Sequence, residues 1–281
     1  MVAKAGSLVR VTHLVEEVAP VAEFYERALG LTTATQPDGC VLVGPAGGLR
    51  LELVAQPGAA YEAGSYGGLL VRVASVEGAV AAATACGGTV LAPPTTLEHG
   101  ASLVPDEPDE LVTPVLEATV ADPGGYPVLL YQPSAEAGGD GGGDGAGAGA
   151  GTAAFIGGAR LDVHDWKRSQ EWWHSLGWAT RRWQSNVPRE SSLTLTVAAA
   201  AEADAAPVSP RGPASCDDEP VVQLTYRYGS GPVRPEGCGL HGLALADATQ
   251  PAHRVPYPDR TPEAAGAQLD DPDGYRVVML E

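Results

Sequence analysis

The chain has 281 residues, of which 35 are Asp or Glu and 17 are Lys or Arg, so its formal net charge at pH 7 is −18. A charge of that sign argues against nonspecific binding to nucleic acid or to an anionic membrane. No apolar run reaches the roughly 20 residues of a transmembrane helix, so we expect a soluble protein without a membrane span.

The opening residues, MVAKAGSLVRV, predict neither a secretory signal nor a transit peptide. We expect a cytoplasmic protein if Met1 is the true start, and a plastid or another organelle is open if an upstream segment has been removed. The cysteines are scattered and form no CxxC pair, which favours free thiols in a reducing compartment. They are Cys40, Cys86, Cys216 and Cys238.

The first half of the chain predicts two runs of strand and helix. VRVTHLVEEVAPVAEFYERALGL (9–31) predicts a strand and an amphipathic helix that ends at Gly30. GGLRLELV (47–54) predicts a strand, and GGLLVRVASVEGAVAAATACGGTVL (67–91) predicts strand, helix and strand. DPGGYPVLLY (122–131) predicts a turn that opens another strand.

Residues 134–152, SAEAGGDGGGDGAGAGAGT, contain no large apolar side chain and predict a flexible linker. We therefore expect an N-terminal domain over residues 1–133 and a C-terminal domain over residues 153–281. A second polar segment, residues 199–220, predicts a surface loop inserted in the C-terminal domain.

The second half repeats the pattern of the first, with ARLDVHDWKRSQEWWHSLGW (159–178), EPVVQLTYRYG (219–229) and DPDGYRVVML (271–280). Four prolines between residues 248 and 268 exclude a full amphipathic helix there. The simplest account is an α+β fold of four strand–helix–strand–strand–strand (βαβββ) units, two in each half, the fourth of them truncated.

At these residues the chain resembles the vicinal oxygen chelate superfamily, and more closely the single-chain, two-domain glyoxalase I (lactoylglutathione lyase) family of plants and algae. The resemblance rests on AEFYERALGL, VVQLTYRYG, GCGLHGLALAD and the two DPxGY turns. It implies tandem glyoxalase/bleomycin-resistance-like domains in which pairs of units form cups. It also implies that a cup holds a divalent metal on His, Gln and Glu side chains, and that the metal polarises a glutathione hemithioacetal while a ligating Glu moves the proton.

Eight positions of this sequence match the metal ligands of that family. By analogy, the first cup joins units one and four, and the second joins units two and three. The positions are Arg10, Glu52, Leu240 and Val278 in the first cup, and Gly158, Gln223, Gly68 and Leu129 in the second. Only Glu52 keeps a carboxylate and only Gln223 keeps an amide, whereas Leu, Val and Gly side chains cannot ligate. We therefore expect no cofactor and no catalytic residue, and an Arg10–Glu52 ion pair in the centre of the first cup.

His241 lies one residue beyond a ligand position, so strand alternation predicts that it faces away from the first cup. A one-residue bulge would restore it as a ligand. In that alternative the protein is an active lactoylglutathione lyase, or another metal-dependent isomerase that uses Zn, Ni or Mg. His13, three residues after Arg10, is predicted to face away from the cup.

All five tryptophans and six of the 17 basic residues lie between residues 160 and 189. One interpretation is a set of core tryptophans beside solvated arginines. The other is a surface for a protein partner or for a second copy of the chain. Its members would be Trp166, Trp172, Arg181, Arg182 and Trp183. The function classes left open are a glyoxalase-like protein that has lost lyase activity and binds a small molecule or a protein partner, an active lyase, and a structural subunit of a larger assembly.

Overall fold

The computed structural model describes residues 6–45, 48–61, 66–97, 115–132, 154–185, 192–199, 220–229, 240–246, 268–273 and 275–280. Within these stretches the order strand, helix, three strands occurs three times. The first set is β1 (Ser7–Val15), α1 (Val18–Leu29), β2 (Thr33–Thr35), β3 (Val41–Val43) and β4 (Arg50–Ala55). The second set is β5 (Tyr66–Arg72), α2 (Val76–Ala85), β6 (Thr89–Leu97), β7 (Val115–Ala121) and β8 (Pro127–Gln132). The third set is β9 (Phe155–Val163), α3 (Trp166–Ser175), β10 (Trp178–Ser185), β11 (Ser192–Ala199) and β12 (Val221–Arg227).

The last part of the chain contributes the strands β13 (Leu240–Ala246), β14 (Gln268–Asp270) and β15 (Arg276–Leu280). The predicted loss of a fourth helix concerns residues 247–267, which lie outside the described stretches. The predicted linker and residues 200–219 of the predicted loop lie outside them as well. The domain boundaries at residues 133 and 153 stay a prediction.

The strands form two sheets, and each sheet combines strands from both halves of the chain. The first sheet has the order β14-β15-β13-β1-β4-β3-β2, and the second has the order β10-β11-β12-β9-β5-β8-β7-β6. At the centre of each sheet two opening strands pair antiparallel, β1 with β13 and β5 with β9. Each opening strand also runs parallel to the last strand of its own set. The first set therefore shares a sheet with the last strands of the chain, and the second set shares one with the third.

The main hydrophobic core of the described residues contains side chains from both sheets and from the helices α1, α2 and α3. Leu51 of β4 and Leu195 of β11 are fully buried in it, as is Trp173 of α3. Helix α1 is amphipathic, as the sequence predicts, and it buries Val21, Phe24, Tyr25 and Leu29. The helix ends at Gly30, where a φ of 68° lets the backbone N–H bond back to Glu26, and this confirms the predicted C-cap.

The two Asp-Pro-x-Gly-Tyr turns fasten one sheet to the other. In each turn the Asp carboxylate accepts the backbone N–H of the Tyr, at 3.0 Å for Asp122 and Tyr126 and at 2.9 Å for Asp271 and Tyr275. The Tyr126 hydroxyl, at the start of β8, donates to the carbonyl of Leu14 in β1. The Tyr275 hydroxyl, at the start of β15, donates to the carbonyl of Asp162 in β9 at 2.8 Å. Each turn therefore holds an opening strand of the opposite sheet in place.

Removal of either hydroxyl is expected to weaken this junction. Tyr126→Phe and Tyr275→Phe should each lower the free energy of unfolding by about 1 kcal/mol, since each leaves a strand carbonyl without its donor. Urea denaturation measures the change, and Tyr228→Phe is the control because Tyr228 is exposed. Equal unfolding midpoints for all three variants would show that the hydroxyls do not stabilise the junction.

Candidate functional site

The candidate site lies on the face of each sheet that is turned away from the hydrophobic core. Along β1, Val11, His13 and Val15 are buried in the core, whereas Arg10 and Thr12 lie on the opposite face. We call this opposite face the first cup in the sheet that contains β1, and the second cup in the sheet that contains β9.

The centre of the first cup is the carboxylate of Glu52, whose residue is 5% exposed. The guanidinium of Arg10 donates from Nη1 to Oε1 at 3.4 Å. The hydroxyl of Thr12, which lies beside Glu52 in the parallel register of β1 and β4, donates to Oε2 at 3.0 Å. The thiol of Cys40 donates to Oε1 at 3.8 Å. Three donors thus converge on one carboxylate, and Arg10 and Glu52 are in contact.

Burial raises the pKa of the Cys40 thiol to about 12, and the carboxylates of Asp38 and Glu52 raise it in the same direction. The thiol therefore stays protonated at neutral pH. It serves Glu52 as a hydrogen-bond donor and is a poor nucleophile.

The last strands of the chain complete the first cup differently from the sequence alignment. Val278 pairs with Ala244, and Ala244 lies opposite Arg10. Leu240, expected to line this cup, packs instead against the hydrophobic core. In the second sheet, Gly68 precedes by two residues the residue that pairs with Leu129. In the first sheet, Gly242 precedes by two residues the residue that pairs with Val278. Gly242 therefore corresponds to Gly68. Leu240 therefore lies on the core side of β13, opposite His13.

A bulge in β13 causes this difference. Gly242 lies opposite Thr12 and Leu240 lies opposite His13, so His241 is an extra residue between two consecutive pairs. Its side chain lies outside the described part of the structure. Gly67 occupies the same place in the second sheet, between Tyr66 and Gly68. The alternation of side chains along a strand is interrupted at a bulge. It therefore no longer predicts that His241 faces away from the first cup.

Two ligand positions of the second cup are places where backbones approach closely. A Cβ on Gly158 would lie 2.1 Å from the carbonyl oxygen of Val221. A Cβ on Gly68 would lie 2.7 Å from both Leu129 Cδ1 and the Pro127 carbonyl oxygen, and its φ is +127°. A side chain therefore fits at neither position without movement of its neighbours.

The other two positions of the second cup belong to different environments. Leu129 belongs to a separate buried apolar cluster, together with Leu70, Val115, Tyr131, Ala198 and Val221. Gln223 accepts a hydrogen bond from Nε of Arg160 at 3.0 Å. The second cup therefore combines an apolar end with a polar end.

The sequence analysis missed the charged group at the polar end of the second cup. Asp162 follows Arg160 by two residues on β9, and its Oδ2 lies 3.6 Å from Nε of Arg227 on β12. Burial raises the pKa of Asp162, and the positive charges of Arg227 and Arg160 offset part of that rise. Polar residues at alternate positions of β9 could have indicated this group in the sequence. Its contact with Arg227 could not be predicted, because it depends on the pairing of β9 with β12.

His13 lies on the core face, as the sequence predicts. Its ring stacks on Tyr126 with 4.1 Å between centroids, and its Nε2 lies 3.1 Å from the Tyr66 hydroxyl. Burial lowers the pKa of His13 to about 3, so the ring is neutral at physiological pH. His13 therefore belongs to the junction between the sheets and not to a cup.

The described tryptophans between residues 160 and 189 all pack against the core. Trp173 and Trp178 are buried, and Trp178 donates from Nε1 to the Gly6 carbonyl at 3.1 Å. Trp166 and Trp172 are half-buried against the same core. Arg181 donates to the Ala199 carbonyl at 3.0 Å, and the side chains of Arg182 and Trp183 lie outside the described residues. An interaction surface on this segment stays a prediction.

The described residues of the first cup do not fit the divalent metal that the family resemblance implies. The Glu52 carboxylate already faces a guanidinium, whose charge repels a metal ion. Among the described residues, no group of three or more His, Cys, Asp or Glu side chains is arranged to hold a metal.

Comparison with known proteins finds a family model that matches part of the chain and solved structures that share its fold. The model of the Glyoxalase/Bleomycin resistance protein/Dioxygenase superfamily matches residues 7–130. Glyoxalase I from Zea mays aligns over 99% of this chain and 92% of its own, with a TM-score of 0.63 and 19% identity. A point mutant of the maize enzyme aligns over 98% of this chain and 93% of its own, with a TM-score of 0.66 and 18% identity.

No curated protein sequence matches the chain. Within the described stretches, no helix is long and apolar enough to cross a membrane. Residues 7–130 thus match the glyoxalase/bleomycin resistance protein/dioxygenase superfamily, and the described residues have a two-sheet, α+β, glyoxalase-I-like fold.

Proposed function

We propose that this glyoxalase-I-like protein has lost metal-dependent lyase activity and acts by binding a small molecule. The observation that carries the proposal is the contact between Arg10 and Glu52. A Lewis-acid metal needs the lone pairs of its carboxylate ligand, and those of Glu52 already accept hydrogen bonds from Arg10, Thr12 and Cys40.

The remaining ligand positions support the same proposal. Gly158 and Gly68 would need their neighbours to move before any side chain could occupy those positions. Leu129 and Val278 offer only hydrocarbon. We favour a small molecule over a protein partner because the described tryptophans of residues 160–189 are buried in the core or packed against it.

An activity assay tests the proposal. The purified protein, stripped with a chelator and resupplied in turn with Zn, Ni, Co or Mg, is mixed with the hemithioacetal of methylglyoxal and glutathione. We expect the rate of thioester formation to equal that of the Glu52→Gln variant and that of buffer alone. Metal-dependent turnover that Glu52→Gln abolishes would overturn the proposal. If His241→Ala also abolished metal-dependent turnover, His241 would belong to the active site.

A further inference from the structure

The hairpin of β14 and β15 ends the first sheet, and its strands are shorter than those at the matching end of the second sheet. β14 has three residues and β15 has five, whereas the second sheet ends in β8, β7 and β6, with six, seven and nine residues. A two-stranded hairpin is only marginally stable by itself in water. The position of this hairpin therefore depends on contacts with the rest of the protein.

The same hairpin supplies part of the wall of the first cup. Val277 of β15 is buried in the core, so the next residue, Val278, faces the cup. Val278 is 7% exposed and pairs with Ala244, which lies opposite Arg10. Glu52, at the centre of the cup, is 5% exposed. A small molecule can therefore reach this carboxylate only when part of the wall moves.

The turn between β14 and β15 is tied to the start of helix α3, which packs against the second sheet. The carboxylate of Asp273 accepts the backbone N–H of His164 at 2.9 Å and the hydroxyl of Ser169 at 2.7 Å. The backbone N–H of Asp273 donates to the carboxylate of Asp271 at 2.9 Å, so the turn holds Asp273 in position. We call the two contacts of the Asp273 carboxylate the latch.

The matching turn in the first half of the chain has no such carboxylate. Gly124 occupies the position of Asp273 in the sequence Asp-Pro-x-Gly-Tyr. Helix α1, the counterpart of α3, follows Glu17, whose side chain makes no capping hydrogen bond. The latch is therefore not needed to form this kind of turn, and it occurs at the turn that joins the shorter strands.

We propose that the hairpin of β14 and β15 is the movable wall through which a small molecule enters the first cup, and that the latch sets how often this wall opens. Segments of short strands at the end of a sheet open locally without unfolding of the whole protein. Asp273 is half-buried, so water can replace its two partners when the hairpin moves away from α3. The inference rests on the proposed binding function and adds the route of entry.

Hydrogen exchange of the full chain, measured amide by amide, tests the opening. In the wild type, the amides of β15 should exchange faster than those of β4, which lies inside the same sheet. Asp273→Ala should speed exchange in β15 at least tenfold, because two hydrogen bonds to a charged group are lost, and should leave β4 unchanged. Asp270→Ala is the matched control, since it removes an exposed carboxylate from the same hairpin.

The thiol of Cys40 reports whether this opening exposes the first cup. Cys40 is 8% exposed, and its thiol contacts Glu52. Reaction of Cys40 with N-ethylmaleimide, followed by mass spectrometry of its peptide, should be at least tenfold faster in Asp273→Ala than in the wild type or in Asp270→Ala. Cys86, at the end of α2, should react at one rate in all three proteins and serves as the internal reference.

Variants of the other side of the latch separate it from a general loss of stability. Ser169→Ala removes one donor and should raise both rates by less than Asp273→Ala does. The double variant should match Asp273→Ala, because both substitutions remove the same contact. If Asp273→Ala does not fold, Asp273→Asn, which keeps an acceptor oxygen and the shape of the side chain, should give rates above those of the wild type.

The contrary results are distinct from one another. Equal exchange of β15 and β4 in the wild type, or rates that do not respond to Asp273→Ala, would overturn the inference. Faster exchange in β4 as well would show unfolding of the whole sheet instead of movement of the hairpin. Faster exchange in β15 without faster labelling of Cys40 would show that the hairpin is not the entrance. Failure of the proposed function would appear separately, as metal-dependent lyase turnover.

Discussion

Glu52→Ala is expected to lower the free energy of unfolding by about 3–5 kcal/mol, the range seen when one partner of a buried ion pair is removed. The Arg10 side chain is only 13% exposed, so its guanidinium cannot regain full hydration when the carboxylate is lost. The hydroxyl of Thr12 and the thiol of Cys40 lose their acceptor in the same variant. Denaturation in urea measures the change.

A double variant and an exposed pair serve as controls for this prediction. Arg10→Met combined with Glu52→Leu should lie within about 1 kcal/mol of the wild type, since apolar side chains of similar volume replace buried ion pairs at little cost. Glu23→Ala removes the exposed partner of Arg27 on α1 and should produce no measurable change. If Glu52→Ala is no more destabilising than Glu23→Ala, then the Arg10–Glu52 contact does not organise the first cup.

Asp122→Asn is expected to change how stability depends on pH. Burial raises the pKa of Asp122 from 3.8 to about 6, although the carboxylate accepts hydrogen bonds from Tyr25 and from the turn backbone. Between those two pH values the folded protein holds a proton that the unfolded chain has released. Asp122 therefore lowers stability as the pH rises through this window, by about 3 kcal/mol in total. Asp122→Asn should not show this fall in the free energy of unfolding.

His13 acts in the opposite direction and must be separated from Asp122. Burial lowers the pKa of His13 to about 3, so the unfolded chain binds a proton more readily and stability rises with pH up to the ordinary pKa of histidine. The measured quantity is thus the difference between Asp122→Asn and wild type. The free energy of unfolding of Asp122→Asn, relative to that of wild type, should rise by about 3 kcal/mol between about pH 4 and about pH 7. A difference that is constant with pH would show that Asp122 does not hold a proton in the folded state.

Local patterns allowed much of the fold to be predicted from the sequence. The periodicity of α1, its Gly30 cap and the two Asp-Pro turns depend on residues a few positions apart, and the structure contains all of them. The contact between Arg10 and Glu52 was predicted from the family resemblance, which assigns both residues to ligand positions of one cup.

Features that depend on strand pairing could not be predicted. The bulge at His241 depends on the pairing of β13 with β1, and it places Leu240 on the core side of the sheet. The cluster around Asp162 joins strands that are more than 60 residues apart, as the separation of 63 between Arg160 and Gln223 illustrates. Its members become neighbours only when β9 and β12 pair.

The metal content of the purified protein tests most directly the claim that the first cup is not a metal centre. Elemental analysis of wild type, Glu52→Gln and His241→Ala, each purified without chelator, gives the stoichiometry per chain. The account predicts well under one Ni, Zn, Co or Mg per chain in all three proteins. One equivalent of metal in the wild type that is lost in Glu52→Gln would contradict it.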